Sequence, residues 1–206
     1  MTRFRFVLTG LLALVLALGS SGVQAQGQTS TEAEIRQMLE ERNQEIKTIL
    51  QGDTDYTDEQ RQRLKELING IVDFRAMGEI ALGPHWSNLS AEQQEEFVSV
   101  FREVVRAQSM SDLGVYNSRV TFDQISVQGD SAFVRTTTEY EGTRTPVEYV
   151  LERREGEWRA EDIILDDVST AGGYARSFQS VIRKRGFGAL MGSLERKRAE
   201  IAAKSE

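Results

Sequence analysis

The apolar positions of this chain change period twice, from helical to alternating and back to helical. From Thr31 onward, Ile35, Met38, Leu39, Ile46, Ile49 and Leu50 recur at helical spacing with charged residues between them. The polar stretch Gln26 to Ser30 ahead of them reads as loose, and Gly52-Asp53-Thr54-Asp55 breaks the pattern. Thr57-Asp58-Glu59-Gln60 is a capping box, in which hydroxyl and amide each satisfy an orphan backbone donor. It opens a helix carrying Leu64, Leu67, Ile68 and Ile71, which Asn69-Gly70 ends or bends. A short helix starts at Val72 to Met77 and stops at Gly83-Pro84. A second box, Ser90-Ala91-Glu92-Gln93, opens a helix with Phe97, Val100, Phe101, Val104 and Val105 on one stripe.

Strands follow. Val120, Phe122 and the pair Ile125 and Val127 predict the first, with a turn at Gly129-Asp130 and an alternating second strand from Ala132 to Tyr140. A turn around Glu141-Gly142 leads to Val147, Tyr149 and Leu151, and Glu155-Gly156-Glu157 leads to Trp158, Ala160, Asp162 and Ile164. After Gly172-Gly173 the helical period returns through Tyr174, Phe178, Val181 and Ile182. Gly186 separates these from a last amphipathic stretch through Leu190, Leu194 and Ile201. The order of elements predicts an α+β domain: a four-stranded antiparallel curved sheet with helices from both chain ends packed on one face.

Residues 1–25 stand outside that domain, which is expected to span 26–206. Arg3 and Arg5 form a basic start, Phe6 to Leu18 is apolar, and Val23 and Ala25 occupy the small-residue places of a cleavage site. A single membrane anchor is the weaker alternative, because this 13-residue stretch, interrupted by Thr9 and Gly10, is short of the roughly 20 that span a bilayer. The expectation is an exported protein. Its 25 basic and 32 acidic residues give a formal net charge of −7, which argues against general nucleic-acid binding. No cysteine is present, which excludes a disulfide scaffold, a thiol enzyme and a thiolate metal site. One histidine excludes His-rich metal sites and most acid–base triads within a single chain. Composition thus favours an exported binding or interaction module and points away from most hydrolases; no metal or cofactor is expected.

The candidate polar sites are weak. His85 sits in a loop between Pro84 and Trp86, where loop packing is the better reading. Glu161, Asp162, Asp166 and Asp167 offer oxygen ligands for Ca²⁺, but strand alternation keeps them from converging. Gly172-Gly173 before a helix is a faint phosphate-cradle signal, and a plain turn accounts for it as well. The nominee for an acid–base pair is Asp162 with Tyr149. Charge is uneven: Arg176, Arg183, Lys184, Arg185, Arg196, Lys197 and Arg198 crowd the C-terminal helices of an acidic chain. They suit an acidic partner or anionic head groups, and a solvated face fits equally well. Phe74, Met77, Trp86, Phe97, Phe101, Phe122, Tyr149, Trp158, Tyr174 and Phe178 are enough to line a cavity or to fill an ordinary core.

An ordered set of motifs resembles the MlaC (toluene-tolerance) family. It begins with Val72-Asp73-Phe74-x-x-Met77, Ala81-Leu82-Gly83-x-x-Trp86, and Leu89-Ser90 with Glu96-Phe97 and Phe101. It continues with Pro146-Val147-x-Tyr149-x-Leu151, Trp158-x-x-x-Asp162-Ile163, Val168-Ser169, and Tyr174 with Phe178. Three positions depart from the family pattern. Glu161 stands where an aromatic is common, Asp167 where Gly is frequent, and Ala175 where Arg is common, with Arg176 next.

The resemblance implies a monomeric periplasmic carrier of diacyl phospholipid, without catalysis. It would shuttle between an outer-membrane lipoprotein–porin complex and an inner-membrane ABC transporter with an MCE-domain subunit. A hopanoid-associated branch of the family, and a small-ligand or enzymatic domain on a similar scaffold, remain alternatives. The implied cavity has a helical wall of Phe74, Met77, Leu82, Trp86, Phe97, Phe101, Val104, Tyr174 and Phe178. Its strand wall is Val134, Tyr149, Leu151 and Ile164. Arg176, Arg183, Lys184 and Arg185 would meet partners.

Overall fold

The computed structural model describes residues 21–51 and 56–203. The basic start and apolar run of the expected export signal therefore lie outside the described residues. Helix α1 spans Ser21–Leu50 and α2 Asp58–Asn69. Helix α3 (Phe74–Leu82) is followed by a 3₁₀ turn over Gly83–Asn88, then by α4 (Ala91–Ser109). The sheet comprises β1 (Arg119–Gln128), β2 (Ser131–Tyr140), β3 (Thr143–Arg154), β4 (Glu157–Leu165) and β5 (Val168–Ser169). Helices α5 (Thr170–Arg185) and α6 (Phe187–Ala202) close the chain.

Both capping boxes form. Thr57 Oγ1 accepts from Gln60 N–H at 3.2 Å while Gln60 Oε1 accepts from Thr57 N–H at 2.9 Å. Ser90 and Gln93 repeat the exchange at 3.2 and 3.0 Å. Two boundaries differ from expectation. Gln26 to Ser30 is helical, continuous with α1 and without a proline to stop it. Gly172 and Gly173 lie inside the first turn of α5, which begins at Thr170.

The strands pair in chain order, antiparallel throughout. Four two-residue turns join them. At Glu141-Gly142, Glu155-Gly156 and Asp166-Asp167 both residues have positive φ, the twist that a tight hairpin requires. The last of these turns corrects the expected strand count from four to five. With φ at 49° and 61°, Asp166-Asp167 reverse the chain so that Val168 and Ser169 pair with Leu165 and Ile164.

Two bulges, between Phe122 and Gln124 and between Val150 and Leu151, shift the register and curve the sheet. The first explains why Phe122 and Ile125, three apart, share the inner face: they pair with Thr136 and Val134. That face also carries Ala132, Leu151, Trp158 and Ala160, and the helices pack over it around one apolar core. Ile35 ties α1 into this core, whereas Ile46, Leu50, Leu64 and Leu67 form a smaller cluster between α1 and α2. The far edge of β4 is covered at one end by β5 and at the other by Val72, which bridges to Ala160. Among the described residues no helix is long and apolar enough to cross a membrane.

Candidate functional site: the layer between helices and sheet

The helical wall is aromatic. Phe97 and Phe101, one turn apart on α4, stack with centroids 5.4 Å apart and are wholly buried. From α5, Phe178 meets both edge-on at 6.1 and 5.9 Å, and Tyr174 meets Phe101 at 5.0 Å. Trp86 and Phe187 flank Phe97 at 6.4 Å each. Edge-to-face pairs at such distances add roughly 0.5–1.5 kcal/mol beyond their area burial. Helix α3 closes in because Gly78 lacks a side chain; a Cβ there would lie 3.0 Å from the Phe97 ring. Met77 and Leu82 are buried beside it and Val104 continues the α4 stripe. The half-buried Tyr174 carries its hydroxyl to the layer's rim, where it donates to Gln108 Oε1 and links α5 to α4. Burial raises the Tyr174 phenol above its ordinary value.

The opposite wall comes from the sheet. Val134 and Leu151 are fully buried, and Tyr149, half-buried, pairs with Val134 on one side and Ile163 on the other. Burial alone pushes the Tyr149 phenol up. All the nominated residues save Ile164 belong to or pack against one contiguous core. Ile164 is a correction. It pairs with Glu148, and through it with Arg135, on the outer face. The bulge at Glu161, which has no partner between Ala160 and Asp162, reverses the parity of β4, so Ile163 takes the inward place that simple alternation assigns to Ile164.

The polar candidates resolve as structural groups. The Asp162 carboxylate accepts from Ile163 N–H at 2.9 Å, Ser169 Oγ–H at 2.5 Å and Ala171 N–H at 2.9 Å. Ser169 in turn accepts from Gly172 N–H at 2.8 Å. The start of α5 is thus capped by side chains, which removes the phosphate-cradle reading of Gly172-Gly173. Asp162 pairs with Val150, whereas Tyr149 pairs with Ile163, so the nominated acid–base pair does not meet across the strands. Among the described residues no cluster of His, Cys, Asp and Glu could hold a metal ion. His85 lies half-buried in the 3₁₀ turn.

The four nominated docking residues are all exposed. Arg176 lies mid-way along α5, and Arg183, Lys184 and Arg185 form its last turn. Further on, Arg198 reaches Glu103 at 3.8 Å and Lys197 reaches Glu200 at 3.8 Å.

The MlaC protein family matches residues 30–196, from within α1 to within α6, and so takes in both walls of this layer. The chain belongs to the MlaC family. A solved structure of a phospholipid-binding protein from Ralstonia solanacearum, in complex with a phospholipid, shares the MlaC fold with a TM-score of 0.67. It is 23% identical, and the similarity covers 83% of this chain and 98% of that one. No curated protein is a significant match.

Sequence reasoning missed Phe187, which follows the Gly186 break and packs on Phe97. Its place at the first position of a helix that turns back on the core was the available signal.

Proposed function

We propose that this MlaC-family chain is a periplasmic phospholipid carrier that takes diacyl lipid between its helices and its sheet. The observation that carries the reading is the continuous apolar layer in which the α4 and α5 aromatics face Val134, Tyr149 and Leu151. The phospholipid complex of the Ralstonia solanacearum protein, which has this fold, supports it.

Each buried methylene is worth roughly 0.8 kcal/mol, so two acyl chains represent on the order of 25 kcal/mol against water. Only a dry interior competes with a bilayer on that scale, and among the described residues this layer is the larger apolar cluster. A charged head group stays near water, which avoids burying an unpaired charge. Gly186, at φ +83° with nothing within 4 Å of its Cβ position, joins α5 to α6 and gives the helical wall a place to swing. Loading and release then need only a shift between a closed and a parted arrangement, driven by differential docking. The shuttle's ends in this reading are an outer-membrane lipoprotein–porin complex and an inner-membrane ABC transporter with an MCE-domain subunit.

Chain purified gently from a bacterial envelope and extracted with organic solvent should yield diacyl lipid near one molecule per chain. A lipid-free extract overturns the reading.

A further inference from the structure

A second feature lies outside the apolar layer. A cleft of about 770 Å³ opens between the start of α3, the C-terminal half of α4 and the β3–β4 hairpin. Five arginines line it: Arg75, Arg102, Arg106, Arg154 and Arg159. Its carboxylates are Asp73, Glu155 and Glu157. Three of the arginines are neutralised. Arg75 pairs with Glu95, Arg154 lies 3.3 Å from Asp73 and 2.5 Å from Glu161, and Arg159 lies 2.5 Å from Glu157.

Arg102 and Arg106 differ. They sit four residues apart on α4, on the same side of the helix. Both guanidinium groups stand over the Phe74 ring, at 5.9 and 5.4 Å from its centroid. Neither has a salt bridge among the described residues, and Arg106 Nε is cut off from water with no acceptor. Burial, and then the Arg102 charge, pull the Arg106 pKa down, with the Glu66 carboxylate opposing them more weakly. Two like charges held side by side repel each other, and an anion bound between them relieves that repulsion. On a chain of net charge −7 such a spot is also a local attractor for anions.

We propose that Arg102 and Arg106, held over Phe74, form a binding site for a phosphate-class anion. The planar forks suit the tetrahedral oxygens of a phosphomonoester or phosphodiester. The anion comes either from a soluble phosphoester or from the head group of a lipid. Phe74 itself belongs to the apolar core, so its ring separates the cleft from the layer between helices and sheet.

The test is calorimetric titration of the purified full chain with inorganic phosphate at low ionic strength. The wild-type chain should bind, with affinity falling as salt rises. Arg102→Gln with Arg106→Gln should weaken binding at least about tenfold per guanidinium removed. Arg102→Lys with Arg106→Lys should fall between the wild-type and double-Gln chains, keeping the charges while losing the planar forks. Because Arg106 is partly buried, the exposed Arg102→Gln is read alone as well, with thermal melts confirming the fold. Equal phosphate binding by the wild-type and double-Gln chains, or none by wild-type chain stripped of lipid, overturns the site. Native mass spectrometry of co-purified lipid then names the source. Lipid lost with the arginines assigns the anion to a head group, and lipid retained while phosphate binding falls assigns it to a soluble phosphoester. A lipid-free wild-type chain that still binds phosphate through these arginines overturns the carrier and leaves this site standing.

Discussion

Asp162 and Ser169 meet across the β4–β5 hairpin in a hydrogen bond of 2.5 Å, and between them they satisfy two amides at the head of α5. The last strand of the meander is thereby fastened to the helix whose aromatics form one wall of the apolar layer. Asp162→Ala should cost about 2–4 kcal/mol, since three donors lose their acceptor, and Ser169→Ala about 1–2 kcal/mol as a lost cap. The double variant should lose less than the sum, because the two belong to one network. Chemical denaturation of the four chains measures this; strict additivity would show that the pair acts as two separate contacts.

The parity change in β4 makes a sharp prediction about neighbouring isoleucines. Ile163→Ala should lose about 1–2 kcal/mol and lower the lipid recovered per chain, because Ile163 packs against the core. Ile164→Ala should stay within about 0.5 kcal/mol, with lipid unchanged. Melting curves and lipid extraction read both, and the reverse order would place the bulge elsewhere.

How far the fold is legible follows from how local its signals are. The capping boxes at Thr57 and Ser90 are written in four residues each, and the glycines at 129, 142 and 156 mark turns that require positive φ. Ile164 was misplaced because a bulge is set by strand pairing and leaves no mark in the β4 sequence itself. The strand β5 was missed because two residues carry no period, and Asp166-Asp167 does not look like a left-handed turn. The aromatics of the candidate site were legible as a group. Sequence could not distinguish a wall from a core, since both need the same residues at the same spacing. The Arg102–Arg106 cleft was invisible, being assembled from three separated segments.

Asp167 holds φ at +61° without being glycine. Asp167→Gly should stabilise the chain by about 0.5–1 kcal/mol by relieving that strain. For a domain of this size that corresponds to a rise of about 1–4 °C in Tm by calorimetry. A fall in Tm would mean that the Asp167 side chain contributes a contact worth more than the strain.

Burial, with smaller contributions from Tyr149 and Asp112, pushes the Tyr116 phenol up to about 12, and its hydroxyl donates to Ser109 C=O at 3.0 Å. The unfolded chain releases this proton near pH 10. The stabilisation is therefore complete below pH 10 and is lost as pH rises toward 12, in total on the order of 2 kcal/mol. Denaturation between pH 9 and 12 should show a steeper decline for the wild type than for Tyr116→Phe. Parallel declines would show that the phenol titrates as if exposed.

Reversing Arg183, Lys184 and Arg185 to Glu should weaken retention on membranes bearing the proposed partner complexes while leaving lipid content unchanged. These side chains are exposed at the end of α5, so stability should move by less than about 0.5 kcal/mol. Sedimentation with such membranes across a salt series reads the effect, and unchanged retention at low salt would make this end an ordinary solvated surface.

The meander has a consequence for how the molecule yields. Every strand pairs with its chain neighbour through a two-residue turn, so the backbone ladder from β1 to β5 is closed by local contacts, and α5 is fastened to it at its first turn, through Asp162 and Ser169. Such a unit keeps its backbone amides protected while packing above it loosens. The chain is built like a book with a stiff spine, whose covers can open without loosening the binding.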